Sequence, residues 1–313
     1  MRMFNSFARI HAITLFLVLV SPNAIASFDV YGRIAVDFKS ISKTLSGTQS
    51  DIDNNESKAG LKGDFLLNAN NDIRVVYQIE YGFDPVDGKE RGEEGTFKQR
   101  NTFVGLQSNY GTLFVGTHDS ALKRSQLKVD LFNDLSPDIN NLLHGENRLE
   151  DFIGYTTPIL KDAFSATMNS IKNPSSSGKK YQSYSIDYAL KKIQAAFALD
   201  DEINGYKSKR FSFLYSAERY KIGMIFQESD QLGTGIIKTG GVISFAQKIN
   251  LKGMLKIQYA SSSMKIASGK HSTIGYDYQL KKDLKFFTYY SKLQSNLPSK
   301  NKNIFSLGLE YKF

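Results

Sequence analysis

The chain has 313 residues, a net charge of +9, no cysteine, no tryptophan and four histidines. The missing cysteine excludes disulfides, thiolate metal sites and cysteine nucleophiles. Charged residues form 23% of the chain with both signs interspersed, which excludes a nucleic-acid-binding tail and predicts no nucleic-acid partner. Residues 1–26 open with Arg2 and Arg9, continue into the apolar run "AITLFLVLV", and end at the small-residue site Ala24-Ile25-Ala26. This layout predicts a secretory signal peptide cleaved after Ala26, with residues 27–313 as a single domain. The apolar run is shorter than the ~20 residues a membrane-spanning helix needs.

Beyond residue 27 the hydrophobic period is two nearly everywhere. In "FDVYGRIAVDF", Phe28, Val30, Ile34, Val36 and Phe38 share one face, and Asp29, Tyr31, Arg33 and Asp37 share the other. The same alternation recurs in "IRVVYQIEY" (73–81), "YSIDYAL" (184–190), "KIQYA" (256–260) and "TIGYDYQL" (273–280). The last stretch, "NIFSLGLEYKF", sets Phe305, Leu307, Leu309, Tyr311 and Phe313 against Ser306, Gly308, Glu310 and Lys312. Sixteen such segments are predicted, at 28–38, 57–67, 72–82, 97–107, 111–117, 150–157, 162–171, 181–190, 192–200, 208–217, 219–228, 237–247, 251–261, 271–280, 283–292 and 303–313.

Their connections alternate. Short turns such as 68–71, 107–110, 247–250 and 280–283 trade places with longer polar stretches at 39–56, 83–96, 118–149, 172–180, 201–207, 229–236, 262–270 and 293–302. An even strand number with short and long connections on opposite sides is the layout of an outer-membrane β-barrel. A lipid-facing sheet leaves no backbone group unpaired, so it must close, and 28–38 and 304–313 are the expected closing pair. A β-sandwich alternates too, but accounts less well for the leader and the tyrosine-rich strand ends.

Other signals carry little. "DIDNNES" (51–57) begins like a calcium loop but has Glu56 at position six and Lys62 at position twelve. "GTGIIKT" (233–239) lacks phosphate-loop spacing. His118, His144 and His271 have no metal spacing, and no metal or other cofactor is expected.

Specific residues resemble the Gram-negative trimeric porins of the general-diffusion type. They are "YGRIAVDF", "SKAGLKGDF", "IRVVYQIEYGFD", "RNTFVGL", "YGTLFVGTHDS", "DLFNDLSPDINNLL", the "YTTP" strand end and Phe313 at the last position. The resemblance implies an all-β fold: a 16-stranded antiparallel transmembrane barrel with short periplasmic turns, long external loops and a third loop folded inward. It implies a homotrimer in the outer membrane of a Gram-negative bacterium, in contact with outer-membrane lipid. Small hydrophilic solutes and ions would diffuse passively through each water-filled pore, and the family is not enzymatic. It further implies that Phe313 is part of the signal read by the outer-membrane assembly machinery.

The pore constriction is expected between carboxylates of loop 118–149, for which Asp130, Asp134 and Asp138 are the candidates, and wall arginines Arg33, Arg74 and Arg100. Arg33 and Arg74 lie on the polar register, where an arginine avoids the cost of about 2–4 kcal/mol it meets at mid-membrane on the lipid face. Thr117 and Gly154 stand where the family often has arginine, which predicts a thinner basic wall, partly replaced by Arg148, Lys58 and Lys62. Selectivity is expected to be mixed to weakly anionic. The alternatives are a substrate-specific outer-membrane channel on the same fold, or a barrel enzyme or adhesin.

Overall fold

The computed structural model describes residues 26–68, 72–87, 97–172 and 180–313. The expected leader, apart from Ala26, and parts of the stretches 83–96 and 172–180 lie outside the described residues. Eighteen strand segments follow in chain order: β1 (Ala26–Lys43), β2 (Gly47–Asn54), β3 (Lys58–Asn68), β4 (Ile73–Phe83), β5 (Phe97–Gln99), β6 (Thr102–Ser108), β7 (Gly111–Asp119), β8 (Arg148–Thr156), β9 (Phe164–Lys172), β10 (Lys180–Leu190), β11 (Ile193–Ile203), β12 (Tyr206–Ser216), β13 (Tyr220–Gln231), β14 (Ile236–Lys248), β15 (Gly253–Ser262), β16 (Gly269–Gln279), β17 (Leu284–Gln294) and β18 (Lys302–Lys312). Each pairs antiparallel with its neighbours in a single sheet. β2 and β3 both pair with β1, and β5 and β6 both pair with β4, so each couple is one barrel strand interrupted at residues 55–57 and 100–101. The barrel therefore has sixteen strands, most of them within a few residues of their predicted positions; the first runs on to Lys43 and the second begins ten residues early, at Gly47.

β1 closes the sheet against β18 from Arg33↔Lys312 to Lys43↔Lys302. Phe313 and Gly32 then exchange both backbone hydrogen bonds, at 2.9 and 3.2 Å. The Phe313 ring lies over Gly32, where a Cβ would run into it. The faces separate as the period demands. On β18, Phe305, Leu307 and Tyr311 are exposed, whereas Ile304, Ser306 and Glu310 are buried. On β13, Ile222, Met224 and Phe226 point out, and Ile225, Gln227 and Ser229 point in. No helix among the described residues is long and apolar enough to cross a membrane, so the strands do the spanning.

Two connections expected to be long are mostly strand. Residues 39–56 form a β1–β2 hairpin turning at 44–46, and 201–207 closes at Asn204–Gly205. Both turn residues have φ in the left-handed region, 51° and 82°. An Asn-Gly pair adopts that geometry readily and matches strand twist, so the polar residues around it pair instead of looping out.

The third connection, 120–147, enters the barrel. Ser120 caps the short helix α1 (Ala121–Arg124), accepting from Lys123 N at 3.1 Å. Val129, Ile139, Leu142 and Leu143 then pack on Leu214, Ile225, Val242 and Ala260, which line β12 to β15. Phe132 packs with Phe287, Tyr289, Leu293 and Ile304 on β17 and β18. Each large side chain fully buried in this way contributes about 1.5–3 kcal/mol. The wall makes room for them: a Cβ at Gly223 would lie 2.9 Å from Val129, and one at Gly275 would lie 2.7 Å from Phe132.

Candidate functional site

Because the loop lies against β12–β18, the remaining space borders β1–β8. There a cavity of about 630 Å³ runs between the loop and the wall. Its wall is built by the two strand interruptions. At residues 55–57 the backbone leaves the ladder and Glu56 takes a left-handed φ of 58°. The freed carbonyls of Asn55 and Glu56 accept from Arg33 Nη2 at 2.6 and 3.1 Å. At the second interruption Arg100 turns inward, nearly buried, and donates from Nε to Glu80 at 2.9 Å and from Nη1 to Glu56.

Ion pairs continue around the cavity. Lys58 Nζ lies 2.9 Å from Glu80. Arg148 Nε and Lys123 Nζ each lie 3.1 Å from Asp119. Loop and wall meet where Arg33 Nη2 reaches Asp134 Oδ2 at 2.7 Å. Asp134 carries a left-handed φ of 66°, which an Asp tolerates better than most residues and which marks a conformation imposed by its surroundings. Cations and carboxylates thus alternate along the same surface, including wall carboxylates opposite none of the expected loop groups.

The six charged candidates divide. Arg100, Asp134 and Asp138 line this space, and Arg33 joins them from behind Asp134. Arg74 does not. It is on the inward register but at the short-turn end of β4, six residues from Glu80, which at about 3.3 Å per residue is roughly 20 Å away. There it pairs with Asp64 at 2.7 Å, and Asp64 accepts from Ser27 Oγ at 2.7 Å, so Arg74 ties down the start of β1. Asp130 is buried within the loop, accepting from Phe132 N at 2.9 Å, Ile139 N at 3.0 Å and Gln258 Nε2 at 2.9 Å. It holds the loop's shape; burial pushes its carboxyl up to about 6 despite those three bonds. Asp138 does similar work, accepting from Asp134 N at 2.7 Å and Asn140 N at 2.6 Å, and burial together with the nearby Asp130 charge raises it well above the usual carboxylate range. Periodicity identifies a residue's face, not its height along the strand, so it did not separate Arg74 from Arg33. The replacements Arg148 and Lys58 line the cavity, while Lys62, midway along β3 opposite Gln78, lies outside it beside Tyr31, 5.3 Å from its ring.

Sequence reasoning gave no site role to Glu56, Glu80 and Arg210, and counted Glu146 only among the carboxylates of the third loop. Arg210 on β12 is wholly buried. Its Nη1 lies 2.7 Å from Glu146 and 3.1 Å from Leu122 O; Nη2 donates to His144 O at 3.3 Å, and Nε to Gln227 at 2.8 Å. One guanidinium therefore holds both the outgoing and the returning limb of the loop. The available signal was Ser208, Arg210 and Ser212 on one register opposite Phe211 and Phe213. His144, beside this clamp, stacks on Tyr206 at 3.8 Å, and burial with the nearby Lys265 and Lys238 lowers it to about 4.

Solved structures share the architecture at low identity. OmpF of Salmonella typhi, in complex with daunomycin, superposes with a TM-score of 0.73 at 14% identity, over 91% of this chain and 97% of that one. The outer membrane channel DcaP of Acinetobacter baumannii gives 0.70 at 12% identity, over 92% and 97%. OmpT, an outer membrane protein of Vibrio cholerae in its trimer form, gives 0.67 at 13% identity, over 92% and 99%. Comparison with curated proteins returns no match. The sequence model of the Gram-negative porins matches residues 12–312. A closed sixteen-stranded barrel, greasy outside and charged inside, and a family match over nearly its whole length make this chain a member of the Gram-negative porin family, an outer-membrane protein that crosses the bilayer with its strands.

Proposed function

We propose that this porin conducts small hydrophilic solutes and ions by passive diffusion, and that the space between the third loop and β1–β8 is its filter. The Arg33–Asp134 contact carries this reading, because it joins loop to wall beside the ion pairs Arg100–Glu56 and Lys58–Glu80. A solute passing there meets closely spaced charges of both signs, which orient its dipole and reject apolar solutes that cannot replace their hydration. Selectivity follows these lining charges and not the +9 of the whole chain. In this reading the filter residues are Arg33, Arg100, Asp134 and Asp138, with Glu56 and Glu80 added from the wall. The protein binds no cofactor and catalyses no reaction.

The same reading includes a homotrimer, as in the trimer form of OmpT, surrounded by outer-membrane lipid. Residues 1–26 act as the export leader. Phe313 serves the assembly machinery as a recognition residue, and its exposed ring beside the closing seam is consistent with a residue read before the seam is sealed.

The test is single-channel recording in a planar bilayer under a KCl gradient, for the native protein and for a variant lacking 126–143. Conductance steps in near-identical triplets, a larger step in the deletion and a changed reversal potential are expected. A folded, heat-modifiable deletion variant with unaltered conductance and selectivity overturns the filter. Removing Phe313 is expected to impair membrane insertion more than the conductance of what does insert.

A further inference from the structure

A second chamber lies at the short-turn, periplasmic side of the third loop. It has a volume of about 550 Å³ and shares Asp119, Lys123, Gln126 and Asn133 with the cavity above, so the two are successive rooms of one path. Its far wall is formed by Gln194, Ser216 and Lys221, all within three residues of a short turn. The upper room alternates cations with carboxylates. The lower one does not.

Four cations line it: Lys123, Arg124 and Lys128 from the loop, and Lys221 from β13. Its two carboxylates are already committed. Asp119 is paired with Lys123 and Arg148, and Asp130 accepts the three hydrogen bonds that shape the loop. Among the described residues no carboxylate lies within ion-pair distance of Arg124, Lys128 or Lys221. Asp187 on β10 feels the field of Arg124 without reaching that distance. Arg124 and Lys128 are exposed, and Leu127 and Lys128 are both held at left-handed φ, 55° and 62°. Successive non-glycine residues in that region are costly and persist where the surrounding structure imposes them. The loop is thus bent so that its free cations gather on one side, in a confined space where like charges focus the potential.

We infer that this lower chamber is a binding subsite for small multivalent anions, solutes bearing two or more adjacent negative charges such as phosphate esters or polycarboxylates. The inference rests on the channel reading above and adds a substrate class to it. Gln126, Asn133, Gln194 and Ser216 supply neutral hydrogen-bonding groups around the cations, so an anion exchanging its hydration shell there finds both charge and donors. A monovalent anion gains from one cation at a time. A doubly charged one engages two, and is held long enough to interrupt the current.

The experiment is block of KCl current by sodium pyrophosphate and, separately, by sodium citrate, each added to one side of the bilayer and then to the other. The native channel is expected to show concentration-dependent block, stronger from one side. The triple variant Arg124→Gln/Lys128→Gln/Lys221→Gln is expected to remain an open channel, with its KCl reversal potential moved toward cations, and to need roughly tenfold more anion for the same fractional block, each charge-to-charge contact in a watery site contributing a several-fold factor. Pyrophosphate acting more strongly than citrate assigns phosphate chemistry, and the reverse assigns carboxylates. Native conductance without block by either anion overturns the subsite, as does equal block of native and triple variant. Absence of any KCl current from folded protein would instead overturn the channel reading on which it rests.

Discussion

Two patches of the inner wall, one beneath the third loop and one facing the cavity, obey one rule and end up chemically opposite. Along β12–β18 the inward positions beneath the third loop include Leu214, Ile225, Val242, Ala260, Phe287 and Ile304, with Gly223 and Gly275 admitting the loop's own side chains. Along β1–β8 they carry Arg33, Lys58, Glu80, Arg100 and Arg148. Both halves alternate with period two and expose an apolar outer face. A barrel's inner surface is therefore not uniformly polar: where protein covers it, it is built as a core, and where water passes, as a field of paired charges. The loop's position follows from the mismatch, since Val129, Phe132, Ile139, Leu142 and Leu143 all find their apolar partners on the covered wall.

Breaking the covered half should produce the largest effect. Replacing Arg210 by Met leaves Glu146 buried without its cation, which costs about 3–5 kcal/mol. We expect a lower heat-modification midpoint and a larger, noisier conductance as both limbs of the loop are released. The double variant Arg210→Met/Glu146→Leu should recover much of the midpoint, because no charge then remains buried. Gly275→Val tests the same half through packing alone. The added methyls meet Phe132, and overpacking of this kind costs about 1–3 kcal/mol. The expected readout is a modest loss of thermal stability with a shifted conductance, and an unchanged channel would show that Phe132 does not seat the loop.

The open half should respond the other way, in selectivity more than in stability. Glu56→Gln combined with Asp134→Asn removes the carboxylates facing Arg100 and Arg33. Partly exposed pairs contribute at most about 1 kcal/mol, so the barrel should survive. The reversal potential should move toward anions, and no movement would mean that these pairs do not face the conducting path.

The smallest effect concerns pH. His144 is lowered from 6.5 to about 4, so the unfolded chain takes up the proton first and stability falls as pH drops through that window. Asp130 is raised from 3.8 to about 6, so the folded chain takes up the proton first and stability rises as pH drops from about 6. The two oppose each other over the same range. His144→Gln leaves the carboxylate contribution alone, and the variant's heat-modification midpoint, relative to native, should rise on going from pH 7 to 4.5 by an amount worth about 1 kcal/mol after allowance for the ring's partial exposure.

Much of this was written in the sequence. Alternation located all sixteen strands, the lipid face, the inward register of Arg33 and the pairing of the first strand with the last, because side-chain direction in a sheet depends only on parity. The tight turn at Asn204–Gly205 had its signal in the sequence too, a dipeptide whose left-handed geometry favours a hairpin, although 201–207 was expected to be one of the longer connections. Parity has no information about depth or about what lies opposite. It therefore grouped Arg74 with Arg33, although one ties down the start of β1 at the short-turn end and the other meets the loop. It also gave no reason to single out Arg210, whose partners Glu146, His144 and Leu122 lie 64, 66 and 88 residues away in sequence. Which loop carboxylate reaches the wall was likewise decided by packing: the apolar residues dock on the covered wall, the backbone between them is bent, and Asp134 faces Arg33 while Asp130 is turned inward to hold the bend.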